Sequence, residues 1–195
     1  LALALGGHPL ELLDAADIVF VSPGVPLEIP LLAEARRRGT PLSSETRLFT
    51  RLCPVPVIGI TGSSGKTTTT ALVGKILEAG GRRTWVGGNI GQPLIGHADE
   101  IAPGDAVVME LSSFQLEFFG AWPGARKQRS ILLDPRGWSP QIAAITNITP
   151  NHLDRHPTMQ DYIAAKAHIL TEQKPNDVAV LNLDDSVTRQ MGEEI

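Results

Sequence analysis

Seven residues, Thr61-Gly62-Ser63-Ser64-Gly65-Lys66-Thr67, have the types and spacing to hold a phosphate. They lie between a short apolar run, Val57-Ile58-Gly59-Ile60, and a helical segment that begins at Lys66. Small side chains let successive backbone N–H groups curl around an anion, and the helix N-terminus adds partial positive charge. In such a loop Gly62, Ser63, Ser64, Gly65 and Thr68 line the nucleotide, Lys66 reaches the β- and γ-phosphates, and the Thr67 hydroxyl ligates Mg²⁺. The usual spacing puts a glycine where Ile60 stands, whereas Gly59 is one place early. The loop is therefore a variant. A merely structural Gly/Ser turn is the rival reading, and the order strand, turn, Gly-Lys-Thr, helix speaks against it.

Three further features fall at positions where chemistry gathers. Glu110 closes the apolar run Ala106-Val107-Val108-Met109. Ligands of open α/β sheets collect at the carboxyl ends of strands, so this carboxylate either holds a metal or faces water. Asn147 to His156 follows another apolar run and packs two histidines, Asp154 and Arg155 into five residues. A solvated polar loop and a functional loop both fit it. Lys166 shares a helical face with Tyr162, Ile163, Ile169 and Leu170. A lysine there either snorkels to water or is buried, and burial lowers its pKa and makes its amine reactive.

The elements that must position these residues alternate between strands and helices, which indicates an α/β fold. Strands are predicted at Ile18–Val21, 57–60, 84–87, 106–110, 142–146 and 178–182. Helices are predicted at Pro30–Arg38, Glu45–Leu52, Lys66–Ala79 and Thr158–Gln173. The third carries Leu72, Val73, Ile76 and Leu77 on one face, and the fourth begins with a capping box, Thr158 and Asp161. Cys53-Pro54-Val55-Pro56 reads as a linker, which places a domain boundary near 50–54. Residues 119–140 hold several Gly and Pro, a basic knot (Arg126, Lys127, Arg129) and two of the three tryptophans. They read as an irregular surface insertion.

Composition narrows the class. The chain has 195 residues, is 42% hydrophobic and carries a net charge of −4. That is enough apolar content for a packed core, and the acid excess argues against a general nucleic-acid or anionic-membrane binder. The single Cys53 excludes an intrachain disulfide framework and fits a reducing cytosol. No apolar run reaches the ~18 residues of a membrane span. The chain enters on Leu1-Ala2-Leu3-Ala4-Leu5 without an initiator Met, carries no basic leader, and stops at Ile195 without a closing element. A piece of a longer protein is expected.

Five blocks in order carry a resemblance: the Thr61–Thr67 loop, Gly87-Gly88-Asn89-Ile90-Gly91, Glu110-Leu111-Ser112-Ser113-Phe114-Gln115-Leu116-Glu117, Asn147 to His156, and Tyr162 to Lys166. With these the chain resembles the Mur ligases of peptidoglycan synthesis along nearly its whole length except 119–140. Its Glu110–Glu117 block is most like that of the members that join D-glutamate to UDP-MurNAc-L-Ala. The resemblance implies the tail of a Rossmann-like UDP-binding domain over 1–52. It implies the first part of a P-loop-type ATPase domain with a mostly parallel sheet over 53–195, and a separate amino-acid-binding domain that is absent. The implied reaction is ATP-dependent amide formation through an acyl phosphate in the bacterial cytoplasm. ATP, UDP-MurNAc-L-Ala and D-glutamate are the partners, and a monomer is expected.

By the same resemblance Glu110, His152 and Lys166 join Thr67 as metal ligands, with Lys166 as a carbamate. Lys66, His152 and Lys166 are the catalytic set. Ser22, Pro23 and Gly24 would meet the nucleotide-sugar diphosphate, and Asn89, Ser112, Ser113 and Gln115 the rest of that substrate. Asp154 and Arg155 would support them. Residues 119–140 exceed what the family usually carries there. Two alternatives accompany this reading: another Mur ligase or a folylpolyglutamate synthase-like enzyme, and a non-catalytic nucleotide-binding fragment. The Ser22-Pro23-Gly24 turn and Phe114-Gln115 speak against the other enzymes.

Overall fold

A computed structural model describes residues 3–121 and 135–194. Its centre is a five-stranded sheet of order β4-β5-β3-β6-β7. The strands are β3 (Val57–Thr61), β4 (Thr84–Gly88), β5 (Ala106–Glu110), β6 (Ile142–Ile145) and β7 (Val178–Leu181), and every pairing is parallel. The expected mostly parallel sheet is present. All five β5 residues are buried, as a central parallel strand covered on both faces requires. The apolar edge strand β7 differs, with Val178 and Val180 about half exposed.

Helix α3 (Lys66–Ala79) returns the chain from β3 to β4, while the chain leaving β5 passes β3 to reach β6. Adjacent strands β3 and β5 are thus left in opposite directions. That arrangement opens a crevice at their carboxyl ends. Register aligns Glu110 with both Ile60 and Gly88, and Thr61 with Ile145, so the strand ends meet at one level.

A second, two-stranded parallel sheet pairs β1 (Val19–Phe20) with β2 (Leu42–Ser43). Helix α1 (Pro30–Arg38) packs on it through Leu31, Leu32 and Ala35. Its Pro30 start and left-handed Gly39 stop are the expected ones. Helix α2 (Glu45–Leu52) is capped by Ser44 but packs elsewhere: its Phe49 lies in the core of the large sheet with Val57, Val107 and Leu116. Arg47, almost wholly buried, donates to the carbonyls of Phe118, Gly120 and Arg136. The boundary expected at 50–54 therefore does not coincide with a break in packing.

Three local expectations need correction. In α3, Leu72 and Ile76 are about 60% exposed, and Thr70 and Gly74 are the buried residues. A Cβ on Gly74 would stand 2.6 Å from Val86 Cγ2, so close approach to β4 selects a small residue there. Helix α5 (Met159–Ala167) is shorter than 158–173, because Ile169 and Leu170 donate to carbonyls three residues back. The segment 119–140 is tied into the core at both flanks: Phe119 and Ser139 are buried, and Trp138 N–H donates to Phe119 O at 2.9 Å. Its basic knot, Arg126, Lys127 and Arg129, lies outside the described residues. Two further α-helices among the described residues are α4 (Ser113–Leu116) and α6 (Ser186–Glu193).

Candidate active site

The Gly/Ser loop sits in the crevice between β3 and α3, held from the side by the chain leaving β6. Ser63 N–H donates to Asn147 O at 2.8 Å, and Ser64 N–H to Asn147 Oδ1 at 3.0 Å. Ser63 Oγ donates to Thr149 O at 2.9 Å and lies 3.1 Å from the Tyr162 hydroxyl. Gly62 needs to be glycine: its φ is 149°, and a Cβ would collide with Thr146 Oγ1. Gly65, also left-handed, is the N-cap of α3, which leaves the first N–H groups of that helix unpaired by any side chain. Lys66 Nζ folds back to donate to Ser63 O at 3.2 Å. Gly59, the glycine one place early in the motif, has a packing role instead: a Cβ there would meet Pro140 Cγ at 2.6 Å.

Glu110 is 2% exposed and holds two neighbours. Its Oε2 accepts from Thr67 Oγ1 at 2.7 Å, and its Oε1 from Asn89 Nδ2 at 2.8 Å. Thr67 and Glu110 thus bring two hard oxygen donors together at the start of α3, a donor chemistry that fits Mg²⁺. Among the described residues no three His, Cys, Asp or Glu side chains converge as a metal site.

Lys166 does not snorkel. It is 1% exposed, and its Nζ donates to Gly62 O at 3.0 Å and Thr61 Oγ1 at 3.3 Å, over the Tyr162 ring. Burial, with the nearby Lys66 charge, lowers its pKa to about 7, and Glu110 opposes that shift. The amine is therefore partly neutral at ordinary pH.

His152 is exposed and is the only non-glycine described residue with positive φ, 53°. Its ring meets Phe114 edge-on at 5.1 Å. Asp154 is exposed. Arg155 lies over Phe114 and reaches the Ser22-Pro23-Gly24 turn. Beside that turn a cavity of about 300 Å³ is lined by Phe20, Ser22, Pro23 and Leu48.

The block after β5 splits in two. Ser112 caps α4 and is part-exposed. Ser113 and Gln115, expected to face substrate, are 2% and 3% exposed and are satisfied from within. Gln115 Oε1 accepts from Ser112 N–H at 2.9 Å, and its Nε2 donates to Thr46 Oγ1 at 3.0 Å. Ser113 Oγ lies 2.9 Å from Nε2 of His156. Both polar side chains of this short helix thus hold partners within the chain. His156 itself, 2% exposed and stacked on Phe114, has its pKa lowered by burial. Sequence reasoning named it only as part of its block. Its spacing four residues after His152 is the signal the chain offers, and nothing in the chain points to Ser113 as its partner.

The family profile described as "Mur ligase middle domain" matches residues 60–195. A UDP-N-acetylmuramoylalanine–D-glutamate ligase of Symbiobacterium thermophilum is 46% identical over 192 residues, 98% of this chain. One of Ruminiclostridium cellulolyticum is 42% identical over 191 residues. The chain spans 38% and 37% of the length of these two relatives. Among solved structures, the MurF ligase of Thermotoga maritima in complex with ADP matches 77% of the chain and 34% of its own, with TM-score 0.56 and 22% identity. The UDP-N-acetylmuramate:L-alanyl-gamma-D-glutamyl-meso-diaminopimelate ligase from Neisseria meningitides matches 97% of the chain and 59% of its own, with TM-score 0.56 and 17% identity. At these identities the structures bear on the fold alone.

Proposed function

The chain belongs to the Mur ligase family, and from that premise we propose that it forms the ATP-handling part of a cytoplasmic ligase that joins D-glutamate to UDP-MurNAc-L-Ala. The observation that carries the chemistry is the Thr67–Glu110 contact at the mouth of the phosphate loop. The names of the relatives supply the substrates.

In this reading the N–H groups of Gly65 to Thr68 and the Lys66 ammonium hold the ATP phosphates, once Lys66 lets go of Ser63 O, while Gly62, Ser63 and Ser64 shape the loop around them, the last two held by Asn147. Bound Mg²⁺ supplies charge neutralisation where carboxylate and phosphates crowd. Thr67, Glu110, His152 and a carbamylated Lys166 would hold it. Lys166 suits that modification because burial keeps its amine partly neutral. Attack of the neutral amine on CO₂ forms an N–C bond and releases one proton to solvent, leaving an anionic carbamate whose oxygens are metal donors. Asn89, fixed to Glu110, and Ser112 face the nucleotide-sugar substrate, with Ser22, Pro23 and Gly24 at its diphosphate. Ser113 and Gln115 support that surface from beneath.

The substrate carboxylate takes the γ-phosphoryl group from ATP. The amine of D-glutamate then attacks the acyl carbon and expels phosphate. Residues 1–52 contribute the later part of the nucleotide-sugar domain and 53–195 the first part of the ATP domain, with α2 as the strut between them. The greater length of the relatives leaves room for a part that binds D-glutamate.

An omission experiment tests the proposal. The whole protein, given ATP, UDP-MurNAc-L-Ala and D-glutamate, releases phosphate at full rate only when all three are present. A rate indifferent to D-glutamate overturns the assignment.

A further inference from the structure

Arg155 joins parts of the site that the sequence holds 131 and 130 positions apart. One guanidinium nitrogen donates to Gly24 O at 3.1 Å and another to Val25 O at 3.3 Å. The same group lies 4.8 Å from the centroid of the Phe114 ring. Its backbone hangs from the other side of the site: the N–H groups of Arg155 and His156 donate to His152 O at 3.0 and 2.9 Å. Phe114 in turn contacts both His152 and His156. The receiving turn is itself closed by Val25 N–H on Ser22 O at 3.0 Å.

The chemistry of this contact is particular. A planar guanidinium offers several donors in a fixed fork and stacks on an aromatic face, so it can take two successive carbonyls while resting on a ring. An ammonium has neither the fixed fork nor a plane to stack, so it does not reproduce this pose. We infer that Arg155 is a positioning residue for the nucleoside-diphosphate sugar: it sets the Ser22–Gly24 turn at a fixed span from His152 and the phosphate loop. A substrate held by its diphosphate at one end must bring its terminal carboxylate to the loop at the other. Arg155 fixes the length over which it does so. This rests on the ligase reading above, because that reading puts the diphosphate at the turn.

The test uses the whole protein with Arg155→Gln and Arg155→Lys, in two arms. Hydrogen exchange over residues 21–29 quickens at least about threefold in Arg155→Gln, while exchange in α3 stays unchanged. The KM for UDP-MurNAc-L-Ala rises about tenfold or more, the ATP KM stays within about twofold, and Arg155→Lys behaves more like the glutamine variant than like wild type. Unchanged exchange overturns the latch. Faster exchange with both KM values moving together, or full retention by lysine, overturns the positioning role. A wild-type protein without D-glutamate-dependent ligation overturns the ligase reading instead, and the exchange arm then still reads the latch directly.

Discussion

Lys166 has a pKa near 7 because two forces, loss of water and the Lys66 charge, outweigh the attraction of Glu110. Stability is linked to that value. The unfolded lysine keeps its proton up to about pH 10.5, while the folded one gives it up near 7. Between those values the unfolded chain binds the extra proton, so stability rises with pH across that window. Denaturation midpoints in bicarbonate-free buffer at several pH values, for wild type and Lys166→Met, check this: the methionine variant loses part of the upward slope. Equal slopes contradict the assignment. In the whole protein the ligase proposal predicts that Lys166→Ala abolishes ligation, and that short carboxylic acids restore some of it where added bicarbonate does not. Lys66→Ala lowers ATP turnover about a hundredfold or more with an unchanged circular dichroism spectrum. The burial of Lys166 was legible in the sequence only as a choice, because a lysine on an apolar face can bend to water. The packing of Tyr162 and the phosphate loop around its amine decides that choice. The turn of Ser113 and Gln115 inward was not legible, since their partners His156 and Thr46 lie 43 and 69 positions away.

Helix α5 delivers Lys166, and its start is set by local chemistry. Thr158 Oγ1 accepts from Asp161 N–H while the Asp161 carboxylate accepts from Thr158 N–H, a reciprocal pair readable from spacing alone. Thr158→Ala should cost about 1 kcal/mol of stability, measured by denaturant unfolding, because one orphan N–H of the first turn loses its partner. The ends of α1, α2 and α3 were equally legible, since Pro, Ser and Gly mark them. The buried face of α3 was not. Periodicity favours Leu72 and Ile76, yet the distance to β4 decides, and at Gly74 only a small residue fits beside Val86. Gly74→Leu therefore destabilises by about 1–3 kcal/mol, through overpacking against β4.

At the scale of the molecule, two arginines bind the small sheet and its helices to the large one. Arg47 fastens α2 to the carbonyls that follow α4, and Arg155 fastens the turn after β1 to the loop after β6. Prolines at 54 and 56 mark the link between α2 and β3, and the Arg47 hydrogen bonds hold α2 to the large sheet beside it. Strand order could be read as α/β and no further, because the crossover that sets β3 between β5 and β6 is a long-range choice. That crossover builds the crevice where loop, Glu110 and Lys166 meet, and the account stands on what happens there. The most direct measurement labels the terminal carboxylate of UDP-MurNAc-L-Ala with oxygen-18 and weighs the phosphate released during ligation by the whole protein. An acyl phosphate predicts phosphate carrying one carboxylate oxygen per turnover. Phosphate free of label, formed while D-glutamate is joined, would contradict it.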